Sequence, residues 1–274
     1  MVTFPNAKIN IGLNITAKRV DGYHDIETLF YPVGWKDILE IVPSDGTKTT
    51  LTVSGRKVDC DPEKNLVMKA YRVLNKYVEL PPCEIFLHKV IPDGAGLGGG
   101  SSDAAFTLRM LNEMFSLNFT PAKLASIAEE IGADCPFFIY NRPMIATGVG
   151  TDLKESDLNL SGKRIVIIKP PFSISTKEAY SGCRPQKSPR VLKELLTEDI
   201  ADWQNLIKND FENTLNQKYP EILRIINQLK AAGSIYSSLS GSGSAVYGIF
   251  DSDKLSVDLK EIFHDCEIYT GTLS

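Results

Sequence analysis

The segment from Lys89 to Ala105, KVIPDGAGLGGGSSDAA, puts five glycines within seven residues, directly before two serines and an apolar helical pattern. Glycine has no Cβ, so the backbone can turn with positive φ and aim several N–H groups at one anion. The following helix adds unpaired N–H groups and the positive end of its dipole, about half an elementary charge. A fold for this chain must therefore lead a strand into the loop and a helix out of it, with an anion site at the junction. The candidate cradle comprises Pro92, Asp93, Gly94, Ala95, Gly96, Leu97, Gly98, Gly99, Gly100, Ser101 and Ser102. Ser101 or Ser102 is expected to cap the helix, and either hydroxyl is a candidate for a phosphate oxygen or for Mg²⁺, with Ser102 the possible metal ligand.

Three glycine-loop chemistries compete for this pattern. Gly94, Gly96 and Gly99 satisfy G-x-G-x-x-G, but a dinucleotide fold needs a parallel strand next and an acid about 20 residues past the glycines. The pattern here continues instead into a second helix, opening at Thr120-Pro121. Gly94 to Ser101 has Walker A spacing, with Gly100 in the place of the lysine. A protein-kinase loop would be accompanied by V-A-I-K, H-R-D and D-F-G, which do not occur. A bare surface turn rarely concentrates glycine this heavily at a helix start.

The anion is small. A net charge of −4 and a pI near 5.5 argue against a nucleic-acid backbone as partner. No window approaches 18 consecutive apolar residues, and the N-terminus lacks a basic segment followed by an apolar run, so neither membrane nor export is expected. Cys60, Cys83, Cys135, Cys183 and Cys266 lack C-x-x-C spacing, which suits reduced thiols in a cytoplasmic protein without disulfide or structural zinc.

Along the chain, Lys8 to Ile15 alternates as a half-buried strand, placing Lys8, Asn10 and Asn14 on one face, either solvated or lining a polar cleft. Tyr23 and His24 follow the Asp21-Gly22 turn and combine a stacking face with a hydrogen-bonding ring. Two strands of a meander are expected over Asp37–Val42 and Thr49–Val53, a helix opening at Asp61-Pro62-Glu63, and the strand Cys83–Val90. Asp134 lies in G-A-D-C-P-F-F, at a helix end and before an apolar strand. A carboxylate at a helix C-terminus is unfavourable to the dipole, which leaves an Asx turn or a general base as its reason. A short strand over Met144–Gly150, a strand over Lys163–Ile168, a short helix from Thr176 to Tyr180, a helical region over 190–232 broken near Lys218–Glu221, a Gly/Ser-rich turn from Ser237 running into a strand over Ala245–Phe250, a helix over Asp253–Phe263 and an edge strand Cys266–Thr270 complete the pattern.

The loop P-x-x-x-G-L-G-x-G-S-S, the first-strand lysine, G-A-D-x-P-F-F and the late S-G-S-G-S turn together resemble the GHMP kinases, over Ala7 to about Phe250. The A-K-I-N-x-x-L, G-Y-H and I-x-T motifs narrow the resemblance to the branch that phosphorylates the 2-hydroxyl of a CDP-linked methylerythritol in non-mevalonate isoprenoid synthesis. The resemblance implies an α+β fold of two domains, a ribosomal-protein-like half over 1–156 and a ferredoxin-like half over 157–274, with a cleft between them. It implies ATP and Mg²⁺, a CDP-linked small-molecule substrate, and a monomer or weak homodimer. Asp134 corresponds to the catalytic aspartate and Lys8 to the lysine that steadies its charge and the transferring phosphate. Asn65, Leu66 and Lys89 correspond to residues near the nucleoside of ATP. Asn10, Tyr23, His24, Thr176, Tyr180, Ser240, Gly241, Ser242 and Gly243 correspond to substrate contacts, with the histidine reading cytosine and Tyr23 stacking on it. Tyr180 stands where phenylalanine is frequent. Glu113, Glu129 and Glu130 do not fall into the metal role that a helix glutamate has in some members. A sibling kinase for mevalonate, homoserine or a sugar, and a non-catalytic binding module on the same fold, are the alternatives.

Overall fold

The computed structural model describes residues 1–57, 61–186, 188, 190–251 and 259–274. Cys60 and the start of the helix expected over Asp253–Phe263 lie outside the described residues. Two compact units divide the chain, one of residues 1–7, 35–93 and 98–142, the other of 8–34, 94–97 and 143–274. These units interleave, whereas the expected halves, 1–156 and 157–274, are sequential; as folding domains those halves remain a proposal.

The first unit is built on β6 (Cys83–Lys89), where Cys83, Ile85, Leu87 and Lys89 are buried and the residues between them exposed. That alternation commits one face of the strand to the core. β4 (Ile38–Pro43) pairs with β6 antiparallel, β5 (Thr50–Gly55) pairs with it parallel, and β1 (Val2–Thr3) lies at the edge. The expected meander is therefore not formed. A parallel neighbour needs a crossover, which α1 (Leu66–Asn75) supplies, so that β6 lies between β4 and β5. Val67, Met68, Val73 and Leu74 bury the inner stripe of α1, at about 1.5–3 kcal/mol for each larger side chain. The helix starts later than the Asp61-Pro62-Glu63 signal suggests. Asp61 caps one 3-10 turn, Pro62–Lys64, and the Asn65 carboxamide then caps α1 by accepting from Val67 N–H.

α2 (Gly99–Met114) leaves the glycine loop, and α3 (Pro121–Glu129) is capped by Thr120 as its sequence predicts. The apolar run after Asp134 is a short helix, α4 (Cys135–Tyr140), and not the expected strand. A run of six buried or nearly buried residues has no periodicity to tell the two apart, and Pro136 in the first turn favours the helix.

In the second unit, β2 (Asn6–Lys18), β3 (His24–Lys36), β7 (Met144–Thr147) and β8 (Asp152–Glu155) form one sheet in that order. β9 (Arg164–Lys169), β10 (Tyr236–Leu239), β11 (Val246–Phe250) and β12 (Glu267–Thr272) form an antiparallel sheet in the order β10-β11-β9-β12. α5 (Thr176–Ser181), α6 (Leu192–Leu195), α7 (Trp203–Leu206), α8 (Asp210–Lys218), α9 (Pro220–Ala231) and α10 (Leu259–Ile262) belong to the same unit. Ile222, Ile225, Ile226 and Leu229 of α9 share a core with Val166, Ile168, Val246 and Phe250. The helical region over 190–232 breaks also at Ile207–Asn209, because the chain there pairs with β2: Leu13 N–H donates to Lys208 O at 3.0 Å.

Candidate active site

β2 is buried on both faces over most of its length, which decides between the two readings of its polar residues. Lys8 and Asn10 are 3% and 2% exposed, so they face the interior. The Lys8 ammonium donates to Asn10 Oδ1 at 2.6 Å and lies 5.0 Å from the centre of the Phe30 ring. Asn10 Nδ2 donates to Thr28 Oγ1, which donates to Gly12 O. The lysine is thus aimed by a chain of buried hydrogen bonds, and its backbone N–H donates to Leu97 O of the glycine loop at 2.9 Å.

The third glycine motif closes on the same place. Ser240 Oγ accepts from Asn10 N–H and donates to Gly96 O at 2.8 Å, while Ala245 N–H donates to Ala95 O. The contact is close enough that a Cβ on Gly96 would lie 1.9 Å from Ser240 O. Asn209, at the start of α8, holds the turn from below by donating to Leu239 O and Gly241 O. Ser240 is fully buried with its hydroxyl committed to protein partners, so its expected substrate contact is corrected to a clasp on the glycine loop. Gly241 and Gly243 are buried, and Ser242 is half-buried.

The loop has the backbone of an anion cradle. Gly94, Gly96 and Gly98 have φ of 60°, 75° and 70°, and Gly98, left-handed, stands at the N-cap of α2 without a side-chain cap bond. The expected Ser101 or Ser102 cap is therefore not made. Both serines lie inside the first helical turns, and the uncapped N–H groups of that turn are left for a phosphate. These features fit a bound triphosphate. They do not fit Mg²⁺ on Ser102: that residue is fully buried, and its Oγ has no partner in a space closed to solvent. Among the described residues no group of three His, Cys, Asp or Glu side chains is arranged to hold a metal. Asp93 is exposed and carries the charge of a phosphate, so only its backbone suits the cradle.

In the first unit α2 packs on α4, and the Ser101 side chain lies close enough to the Cys135 thiol to oppose the rise of its pKa. Asp134 is half-buried beside that thiol, at the N-terminal end of α4, and its side chain does not cap the helix. The carboxylate thus meets the favourable end of a helix dipole, and the conflict implied by the sequence disappears. Burial pushes the Cys135 thiol up to about 12, which makes it no nucleophile. Asn65 borders a cavity of about 290 Å³ lined by Leu51, Val53, Arg56, Lys57 and Pro62. Leu66 adjoins the loop exit, since a Cβ on Gly100 would be 3.5 Å from its Cδ1. Lys89 departs from expectation. Its ammonium is buried and paired with both Asp37 and Asp103 inside the unit, so its charge is committed to protein partners.

His24 stacks on Tyr180 at 4.8 Å with 20° between planes, and Tyr180 meets Phe211 edge-on. Two candidate substrate residues are thereby adjacent, and the tyrosine ring replaces the usual phenylalanine in a stacked role. Tyr23 is 68% exposed. Thr176 opens α5 on the surface. Thr28 entered the sequence reading only through the I-x-T motif, and Asp37, Asp103 and Asn209 were missed as site residues. Asn209 had a readable signal, an N-cap residue followed by acids at 210 and 212.

Comparison with known proteins follows the same residues. The model of the GHMP kinases N terminal domain matches 65–142, and that of the GHMP kinases C terminal matches 191–265. A 4-diphosphocytidyl-2-C-methyl-D-erythritol kinase of Parabacteroides distasonis is 46% identical over 274 residues, all of both chains. The chain belongs to this kinase family. A second 4-diphosphocytidyl-2-C-methyl-D-erythritol kinase, from Bacteroides thetaiotaomicron, is 48% identical over 92% of this chain and 93% of its own. A crystal structure of a 4-(cytidine 5'-diphospho)-2C-methyl-D-erythritol kinase superposes with a TM-score of 0.82 at 29% identity, covering 100% of this chain and 99% of that one. As a GHMP kinase of this family the chain has the two-domain α+β fold and is a phosphotransferase, with ATP the donor that membership implies.

Proposed function

We propose that this kinase transfers the γ-phosphoryl group of ATP to the 2-hydroxyl of 4-diphosphocytidyl-2-C-methyl-D-erythritol, in isoprenoid precursor synthesis. The observation that carries the reading is the buried Lys8 ammonium, oriented by Asn10 on a strand whose backbone is bonded to the glycine loop. A buried, oriented cation on a strand bonded to the glycine loop suits a reaction whose catalysis is mostly positioning and charge stabilisation. In this proposal the loop N–H groups hold the phosphates, Lys8 neutralises charge on the transferring group, and Asp134 takes the proton of the acceptor hydroxyl. Asn10 has its carboxamide occupied by Lys8 and Thr28, and we assign it the orientation of the lysine. His24 and Tyr180 form the aromatic wall for the cytosine, with Tyr23 beside His24 in sequence.

Mg²⁺ we retain as the counter-ion of ATP, held by phosphate oxygens and water in the usual way for this ion, with no protein ligand assigned. No helix of the described residues is long and apolar enough to cross a membrane. A cytoplasmic location, a monomer or weak homodimer without a nucleic-acid partner, and the division at 156/157 are parts of the same proposal. Sedimentation and expression of residues 1–156 alone test the last two. The catalytic assignment is tested with Asp134→Asn. The expected result is a kcat lower by about 10² to 10⁴ at near-normal KM for ATP; wild-type turnover would remove Asp134 from the chemistry.

A further inference from the structure

The cluster around Lys89 is not used by the mechanism above. Asp37 lies between β3 and β4 and is fully buried. One of its oxygens accepts from the N–H groups of both Val90 and Ile91, the latter at 2.8 Å; the other accepts from the Lys89 ammonium. The same ammonium donates at 2.7 Å to Asp103 on α2. Residues 89–91 are the entry to the glycine loop and residues 99–103 its exit, so one lysine and two carboxylates join the two ends. The exit also packs directly on the entry: a Cβ on Gly99 would lie 3.0 Å from Ile91 Cγ2 and 3.3 Å from Lys89 Nζ.

We propose that Asp37 is a positioning residue for phosphoryl transfer, holding both ends of the glycine loop at their working separation before ATP arrives. The proposal rests on the kinase reading. Burying three ionisable groups together is a poor way to gain stability, because desolvation offsets most of the attraction. What the arrangement does supply is direction. Two consecutive N–H groups at the loop entry are fixed by one carboxylate oxygen, and the helix start is tied to that carboxylate through a single cation. Burial pushes the Asp103 carboxyl up to about 8, with Lys89 opposing and Asp37 adding to the shift.

Two double variants separate position from charge. Lys89→Met with Asp37→Asn keeps an acceptor oxygen for Val90 and Ile91, while Lys89→Met with Asp37→Val removes it. At pH 7, KM for ATP is expected to be about tenfold higher in the valine variant than in the asparagine variant, with KM for the acceptor alcohol equal in both. Equal KM for ATP would overturn the proposal. Hydrogen exchange on the wild-type chain without nucleotide gives a second test that needs no variant to fold. The Val90 and Ile91 amides should exchange as slowly as those inside β6; rapid exchange contradicts a preformed loop. Wild-type inactivity on every acceptor would refute the kinase reading while leaving the exchange result standing.

Discussion

Gly96→Ala is the most informative substitution in the glycine loop. Gly96 has φ of 75°, a conformation that costs a residue with Cβ about 1–2 kcal/mol. The added methyl would lie 1.9 Å from Ser240 O, 2.9 Å from Ser240 C and 3.2 Å from Gly243 N, all of them backbone atoms. No rotamer change can relieve such an overlap, so the two segments must part by about 1.5 Å to regain ordinary contact. The displacement is transmitted, because Ser240 Oγ bonds Gly96 O and Asn10 N–H, and Asn10 orients Lys8. A misplacement of about 1 Å can cost roughly 100-fold in rate, so kcat/KM for ATP should fall at least about that far. The strain itself lowers Tm by roughly 2–4 °C per kcal/mol. Gly100→Ala is the stability control: its Cβ meets only Leu66 Cδ1, at 3.5 Å, in a helical turn, and Tm should hold or rise. Steady-state kinetics and thermal melts of both variants decide the matter. Wild-type kcat/KM and Tm in Gly96→Ala would refute the reasoning.

Three further outcomes follow from single contacts. His24→Ala loses the stack on Tyr180, an interaction of about 0.5–1.5 kcal/mol, and should raise KM for the CDP-linked acceptor while leaving KM for ATP alone; a shift in the ATP constant instead would place the ring elsewhere. Asn209→Ala leaves Leu239 O, Gly241 O and Phe211 N–H without their partner and should cost about 1–3 kcal/mol, read as a lower urea midpoint. Asp103, with its folded pKa raised to about 8 from an ordinary 3.8, binds a proton in the native state that the unfolded chain releases. Its contribution is complete below about pH 4 and is lost as pH rises towards 8. One such proton gives a slope of about 1.4 kcal/mol per pH unit, which Asp103→Asn should remove from denaturation curves across that window.

Elements with strict periodicity or explicit caps were legible from sequence. β2, β6 and α9 declare themselves by alternation or by an apolar stripe, and Thr120-Pro121 marks the start of α3 to the residue. What escaped had physical reasons. Cys135–Tyr140 is apolar throughout, so no period distinguishes helix from strand. β5 pairs with β6 because of a crossover that no local pattern encodes. The glycine loop, Lys8 and the Ser240 turn were recognisable as separate motifs, but their mutual hydrogen bonds link residues more than 80 positions apart. Lys89 shows the limit most clearly. A lysine next to a phosphate loop suggests a ligand contact, and its pairing with the buried Asp37 and Asp103 side chains is visible only in three dimensions.

The most direct test of the account is an acceptor panel with ATP, scored by nucleotide consumption and by the position of phosphate in the product. The CDP-linked methylerythritol should be the substrate that drives turnover and should carry its new phosphate on the 2-hydroxyl, with mevalonate, homoserine and galactose near background. Comparable turnover of one of those three, or no turnover with the CDP-linked alcohol, would contradict the account.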